Sequence, residues 1–509
     1  MWIKIEFADI GEKTLVFPKK IFEQLFENAS GNLNASGNLG VSKNSFKFLF
    51  EKLYRFLFEH FCGRHKKSIK LVFGSRGTEV NVLRSSKLTN DKGSSFEEPA
   101  NILLSSDLKS QLLIPDTQLY KVNINGDTLS LGPVIGLLLG VHSHDYNPYH
   151  MQKYTDRLGV YNKIGGLIYA FSPNSVVWNE NKVYGLYFNI ETGKWEYGIF
   201  PLPSVIYRRD FHQSQDVIDR LKEVTCGRLF NSYRFSKLEL FEIISKNDVL
   251  SQNLPPTEKI GSFRQLKDFT DKYKKVILKP VNLSRGRGIC IIEKRDGNYM
   301  IRDYRGKDPV NIILNGVYGL HRFYFENTEF HDDYLIQEHL NLAKIDGSVF
   351  DIRVVMQKKA ENLWNLSGIE CRASNHKSLI TNISRGGYAL ELDEALSAAF
   401  KDENVILSLS KQIYQYCQNV CLYLDSFGEH YAELGIDIGV DEEQKIWLIE
   451  VNVFPSFNGF KHMDYETYLK IRYTPLLYAL SLTEFASGGE QDPTAGNKEN
   501  FTMSNGEDQ

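Results

Sequence analysis

The chain has 509 residues, 42% of them hydrophobic and 13% aromatic, enough for about three or more packed domains. A net charge of -3 and a pI near 6.5 exclude a global basic field for nucleic acid. Six cysteines (Cys62, Cys226, Cys290, Cys371, Cys417 and Cys421) are too few and too scattered for a disulfide framework.

The opening MWIKIEFADIGEK lacks the apolar run of a signal peptide, so a reducing, cytoplasmic setting is expected. Residues 1–130 alternate strand-like pieces (MWIKIEFADI, KLVFGS, LYKVNI) with polar turns and predict a small β-rich unit. It is interrupted by the tandem repeat ASGNLNASGNLG (29–40), expected to be a flexible loop. A second interruption is an aromatic helix with Phe46, Leu49, Phe50, Leu53, Leu57 and Phe61 at helical spacing.

From residue 131 to 225 the pattern becomes α/β. GPVIGLLLG (132–140), GGLIYAFS (165–172), NKVYGLYFNI (181–190) and PSVIYRRD (203–210) read as strands. The longest apolar run, GPVIGLLLGV, is half of what a membrane span needs. HSHDYNPYH (142–150) holds three histidines at irregular spacing and reads as a polar loop lining a cleft rather than a zinc site. A third unit covers 226–485, and the Gly-, Asn- and acid-rich segment 486–509 is expected to be disordered.

The third unit carries the chemistry. In VILKPVNLSRGRGICII (276–292) a strand ends in Lys279, and Ser284, Arg285, Gly286, Arg287 and Gly288 lead into another strand. Lys279 precedes the glycines, which excludes a Walker A motif, and the following strand excludes a Rossmann fingerprint. What remains is a glycine-rich hairpin whose amide groups suit phosphate oxygens, or an ordinary basic turn.

YLIQEHLNLAKIDGSVFDIRVVMQ (334–357) sets Asp351 and Arg353 on one strand face. An acid for a ribose hydroxyl with an arginine for a phosphate explains the pair, and so does a salt bridge. In IWLIEVNVF, Glu450 and Asn452 share a face, and a carboxylate in so apolar a run needs a partner or a metal. The preceding ELGIDIGV carries Asp437. A two-residue hairpin loop at 442 and 443 would set Asp437 opposite Leu448 and diagonal to Glu450. Asp437, Glu450 and Asn452 then form the oxygen set that Mg²⁺ prefers, or else a structural hydrogen-bonded group.

The order of these motifs (the lysine strand with its glycine-rich loop, LIQEHL, DIR, TNISRGG, GIDIG and IEVNVFPSF) resembles the ATP-grasp ligases. With GPVIGLLLG, PSVIYRRD and LPPTEK, it is similar to the YheC/YheD endospore coat-associated family of spore-forming bacteria, over residues from about 120 to 480. TNISRGG, DIR and IEVN also resemble the RimK-type amino-acid ligases, although Ile380 stands where those carry an arginine.

The resemblance implies an α+β, α/β chain: an ATP-grasp fold of two subdomains gripping ATP, after a pre-ATP-grasp α/β domain and the β-rich N-terminal domain. It implies that Lys237 and Lys279 contact the nucleotide, that the backbone of Gln337, Glu338, His339 and Leu340 reads adenine, and that Asp351 is the ribose-side acid. It assigns Asp437, Glu450 and Asn452 to Mg²⁺ or, alternatively, Mn²⁺, and Asn382 and Arg385 to the acyl-phosphate region, while Arg353 remains the catalytic arginine for a γ-phosphate or carboxylate. The activity implied is an ATP-dependent ligation of a small-molecule or peptide carboxylate to an amine or thiol, tied to the spore coat. The alternative is an inactive nucleotide-binding component of coat assembly, with spore-coat proteins as partners. Neither nucleic acid nor a membrane span is expected.

Overall fold

The computed structural model describes residues 1–18, 21–22, 68–85, 99–140, 146–210, 215–282, 287–306, 308–331, 333–360, 362–374 and 387–486. The repeat, the aromatic helix and residues 487–509 lie outside them.

Alternating apolar residues build a closed barrel of seven strands between Trp2 and Gly132. Ile3, Ile5, Leu15, Phe17, Leu71, Phe73, Ile102 and Leu104 fill its interior, as the period-2 spacing requires. Trp2–Ala8 closes it by pairing with both Ala100–Ser105 and Leu119–Asn125.

A six-stranded sheet follows, and its centre is parallel: Val134–Leu138 lies between Leu167–Val177 and Val205–Arg208. Val134–Leu138 is buried throughout, which matches its unbroken apolar run. Lys194–Pro201 adds an edge strand that the sequence reading leaves out. Barrel and sheet share one core, in which Ile3, Phe73 and Leu131 pack with Leu138, Tyr169, Phe171 and Ile206.

Two further sheets face each other across a cleft. One is antiparallel and runs Thr257–Lys259, Tyr334–Glu338, Lys275–Pro280, Cys290–Arg295, Asn298–Asp303, Val310–Leu314. Helices Phe263–Tyr273 and Gly316–Glu326 cover it through Leu266, Phe269, Leu320 and Phe323. The other runs Tyr388–Leu390, Trp364–Ala373, Ser348–Lys358, Glu433–Val440, Ile446–Asn452, with Lys344–Ile345 paired outside this path. The long helix Glu403–Asp425 backs it with Leu409, Ile413, Cys417, Val420 and Cys421.

Alternation in this second sheet positions the site. Ile352, Val354 and Met356 point to the helices, as do Leu434, Ile436 and Ile438. Asp351, Arg353 and Asp437 therefore point the other way, toward the cleft.

Candidate functional site

A cleft of about 610 Å³ lies between the two sheets, within the size range of small-ligand sites. Its floor is a row of charged side chains on four adjacent strands. Glu370 stands opposite Arg353, Arg353 opposite Asp437, and Asp437 opposite Glu450. Directly paired residues share a face, so the four groups line up across the sheet.

The last pairing corrects the expected register. The hairpin loop is not two residues but Asp441–Lys445, whose turn is held by Asp441 Oδ1 accepting from the amides of Glu443 and Lys445. A shift between Asp437 and Ile438 then leaves Ile449 as an extra residue, and Asp437 meets Glu450 instead of Leu448.

Arg353 grips Asp437 with two bonds, Nε to Oδ1 and Nη2 to Oδ2, the second at 2.8 Å. Arg372 donates to Asp351 at 2.6 Å and lies 3.1 Å from Asp437 Oδ2. Asn452 Nδ2 adds a bond to the same oxygen at 3.3 Å. Burial pushes the Asp437 carboxyl up, but the guanidiniums of Arg353 and Arg372 outweigh it and hold it below its ordinary value. Burial lowers Arg372 as well, and Asp351 and Asp437 more than reverse that. Gly435 makes the approach possible, since a Cβ there would lie 2.5 Å from Pro455 and 3.1 Å from Arg353 Cδ.

Two lysines face this floor. Lys237 opens the helix Lys237–Ile244, which Ser236 and Glu239 start as a capping box, and its ammonium lies 3.7 Å from Glu450. Lys279 donates to Gln337 Oε1 at 2.6 Å, and Gln337 in turn donates to Thr257 at 2.8 Å. Burial lowers both lysines, Lys279 to about 8. The strands on either side of this stretch, Lys275–Pro280 and Cys290–Arg295, pair antiparallel as expected, with Leu278 opposite Cys290. Gly288 sits at φ 75°, and its carbonyl accepts from the Tyr334 hydroxyl at 2.9 Å.

Of the residues expected from the sequence, Lys237, Lys279, Arg287, Gln337, Glu338, His339, Leu340, Asp351, Arg353, Asp437, Glu450 and Asn452 line this cleft. Ser284, Arg285, Gly286, Asn382 and Arg385 lie outside the described residues. The hinge segment is tied to its neighbours. The amides of Glu338 and His339 already donate to Pro256 and Lys275, while Gln337 uses its side chain to hold Lys279. Burial, with Lys275 beside it, lowers the His339 ring to about 4, so it is neutral at pH 7.

Glu370 and Arg372 are the residues that the sequence reading missed. In GIECRAS they alternate inside an apolar strand, the same signal that marks Glu450 and Asn452. Arg209, in PSVIYRRD, is a further residue whose role no sequence pattern marks. It donates to the Pro455 carbonyl at 2.8 Å and also bonds Glu433, which accepts from Gln357 at 2.9 Å. The parallel sheet is thereby tied to the loop that follows Asn452.

Among the described residues, no group of three or more His, Cys, Asp or Glu side chains could hold a metal alone. Asp437 and Glu450 directly opposite each other, with the Asn452 amide alongside, carry the hard-oxygen groups that Mg²⁺ takes, the Asp437 oxygens being shared with Arg353 and Arg372.

Residues 227–482 match the family described as YheC/D like ATP-grasp. The chain is 26% identical over 371 residues to the endospore coat-associated protein YheD of Bacillus subtilis (strain 168), covering 71% of this chain and 81% of that protein. To YheC of the same organism it is 23% identical over 313 residues, covering 60% and 85%. Among solved structures it is similar to the ATP-grasp ligase PsnB complexed with minimal precursor, Mg, and ADP. There the TM-score is 0.38 and the identity 13%, with 68% of this chain and 98% of that chain covered.

Proposed function

The chain belongs to the YheC/D-like ATP-grasp family, and from that premise we propose that it is an ATP- and Mg²⁺-dependent ligase joining a carboxylate to an amine or thiol. The observation that carries this reading is the charged row Glu370, Arg353, Asp437, Glu450, set beneath two lysines from other elements. A fold kept only for packing does not need that many desolvated charges converging on one cavity.

In this reading the donor carboxylate attacks the γ-phosphorus of ATP, the bond to the β-phosphate oxygen breaks, and ADP leaves. The nucleophile then attacks the acyl carbon, its C–O bond to phosphate breaks, and inorganic phosphate leaves as the nucleophile loses a proton. No protein nucleophile is required. What is required is charge placed where the phosphoryl oxygens develop it.

Lys279 and Lys237 supply that charge from one side, and Arg353 and Arg372 from the other. Asp437, Glu450 and Asn452 would hold Mg²⁺, which neutralises and aligns the triphosphate when bound. Asp351 would accept from a ribose hydroxyl, its orientation supported by the bond from Arg372. Asn382 and Arg385 remain candidates for the acyl-phosphate. The kinship with YheD and YheC supports a role connected with the spore coat, with coat proteins as partners or substrates.

The test is ADP release by the purified full-length protein with a panel of amino acids and short peptides. Stimulation by a specific acid together with a nucleophile supports the ligase. Nucleotide binding with no stimulated turnover would favour a structural nucleotide-binding component instead.

A further inference from the structure

Glu370 has no part in the chemistry described so far, yet it is the most deeply buried member of the charged row, at 2% exposure. The Phe460 backbone N–H acts on the carboxyl and favours its charged form. Gly368, two residues earlier, leaves room for that approach, because a Cβ there would lie 2.7 Å from the Phe460 ring. The oxygen Oε2 is buried and has no hydrogen-bond partner among the described residues.

A buried carboxylate oxygen without a donor costs several kcal/mol or so. The two neighbouring guanidiniums do not meet the need. Arg353 directs its bonds to Asp437 and Ser456, and Arg372 to Asp351 and Asp437. Burial pushes the Glu370 carboxyl up to about 7 despite both arginines. A group in that position calls for a donor that arrives with the ligand, and the side chain lines the cleft where a ligand would come.

Charge selects the kind of ligand. The triphosphate and the donor carboxylate are anions, repelled by Glu370 and drawn to Lys237, Lys279 and the arginines. The remaining reactant is the nucleophile. A primary amine brings two or three N–H donors and can carry a positive charge, whereas a thiol brings one weak donor.

We infer that Glu370 receives the amino group of the acceptor, which makes the acceptor a primary amine and not a thiol. This rests on the ligase reading and narrows it. Glu370 is then the residue that holds the nitrogen beside the acyl carbon while the arginines hold the phosphoryl oxygens.

The experiment uses the full-length protein with ATP, Mg²⁺ and each of the twenty common amino acids as donor. Three nucleophiles are compared: hydroxylamine, glycinamide and 2-mercaptoethanol. Hydroxamate formation reports donor activation. With a donor so identified, glycinamide should stimulate ADP release more than 2-mercaptoethanol does. Glu370→Gln should raise the KM for glycinamide roughly ten- to a hundredfold, the loss of one charge-assisted bond, and more than it slows hydroxamate formation. Glu370→Asp should recover part of the loss. An unchanged glycinamide KM in Glu370→Gln, or an equal loss with all three nucleophiles, would overturn the inference and leave the ligase standing. No hydroxamate from the wild type with any donor would defeat the ligase reading, and this inference with it.

Discussion

The ammonium of Lys279 donates to the side-chain oxygen of Gln337 at 2.6 Å, so Gln337, whose backbone is expected to read adenine, also holds the cleft-lining lysine with its side chain. Lys279→Ala should weaken binding of a non-hydrolysable ATP analogue with Mg²⁺ by roughly 1.5–3 kcal/mol, the worth of a charge-assisted bond. Gln337→Met keeps the charge and loses only its aim, so about 0.5–1.5 kcal/mol is expected. Calorimetric titration measures both, and equal affinity in all three proteins would remove Lys279 from the site.

The same lysine sets a pH dependence. Its folded value is about 8, and an anionic ligand raises it further. Affinity for the nucleotide should therefore be constant below that value and fall as pH rises through it, because binding must then recruit a proton. Lys279→Arg, whose guanidinium stays charged, should move that fall to higher pH, where Lys237 loses its proton. A wild-type affinity that stays flat to pH 10 would contradict the assignment.

Glu450→Gln should fold normally and lose its response to the metal. The amide keeps the shape while removing the charge on which a hard-cation site depends. Thermal stabilisation by the ATP analogue plus Mg²⁺ should shrink toward the value without Mg²⁺. Full Mg²⁺-dependent stabilisation in the variant would show that Glu450 does not hold the ion.

Glu370 predicts a stability difference that needs no substrate. Its folded value of about 7 lies above that of an unfolded glutamate, so the folded state keeps its proton longer as pH rises. Wild-type stability should then decline between about pH 4.5 and 7 relative to Glu370→Gln, which cannot ionise. The two proteins should be alike near pH 4.5, and the variant more stable by roughly 3 kcal/mol at pH 8. Denaturant unfolding at the two pH values checks it, and a constant difference would mean the carboxylate is satisfied inside the fold.

Strand content was legible where alternation or an unbroken apolar run left one reading. MWIKIEFADI, NKVYGLYFNI and PSVIYRRD each contain a strand of the structure, and GGLIYAFS the first half of one, Leu167–Val177. Register was not legible, because the Asp441 turn and the extra Ile449 depend on hydrogen bonds that no periodicity encodes. Asp351 and Arg353 were rightly set on one face, yet each pairs across strands, with Arg372 and Asp437 respectively. The alternation of Glu370 and Arg372 in GIECRAS marks them as cleft-facing, but their partners, Arg353 opposite Glu370 and Asp351 bonded to Arg372, come only with the strand pairing.

The core shared by barrel and parallel sheet bears on how the molecule comes apart. The sequence suggests a cut near residue 120, but that would fall inside Leu119–Asn125, a strand on which barrel closure depends, and expose the apolar side of the sheet. Such a fragment should aggregate. Calorimetry of the whole protein should show barrel and parallel sheet melting as one cooperative transition. The Lys279-bearing sheet, with a separate core around Ile260, Leu278 and Phe323, can open on its own. Cooperativity is thus drawn along a different line from chain order: rigid where the nucleotide's support is anchored, looser where the nucleotide must enter and leave.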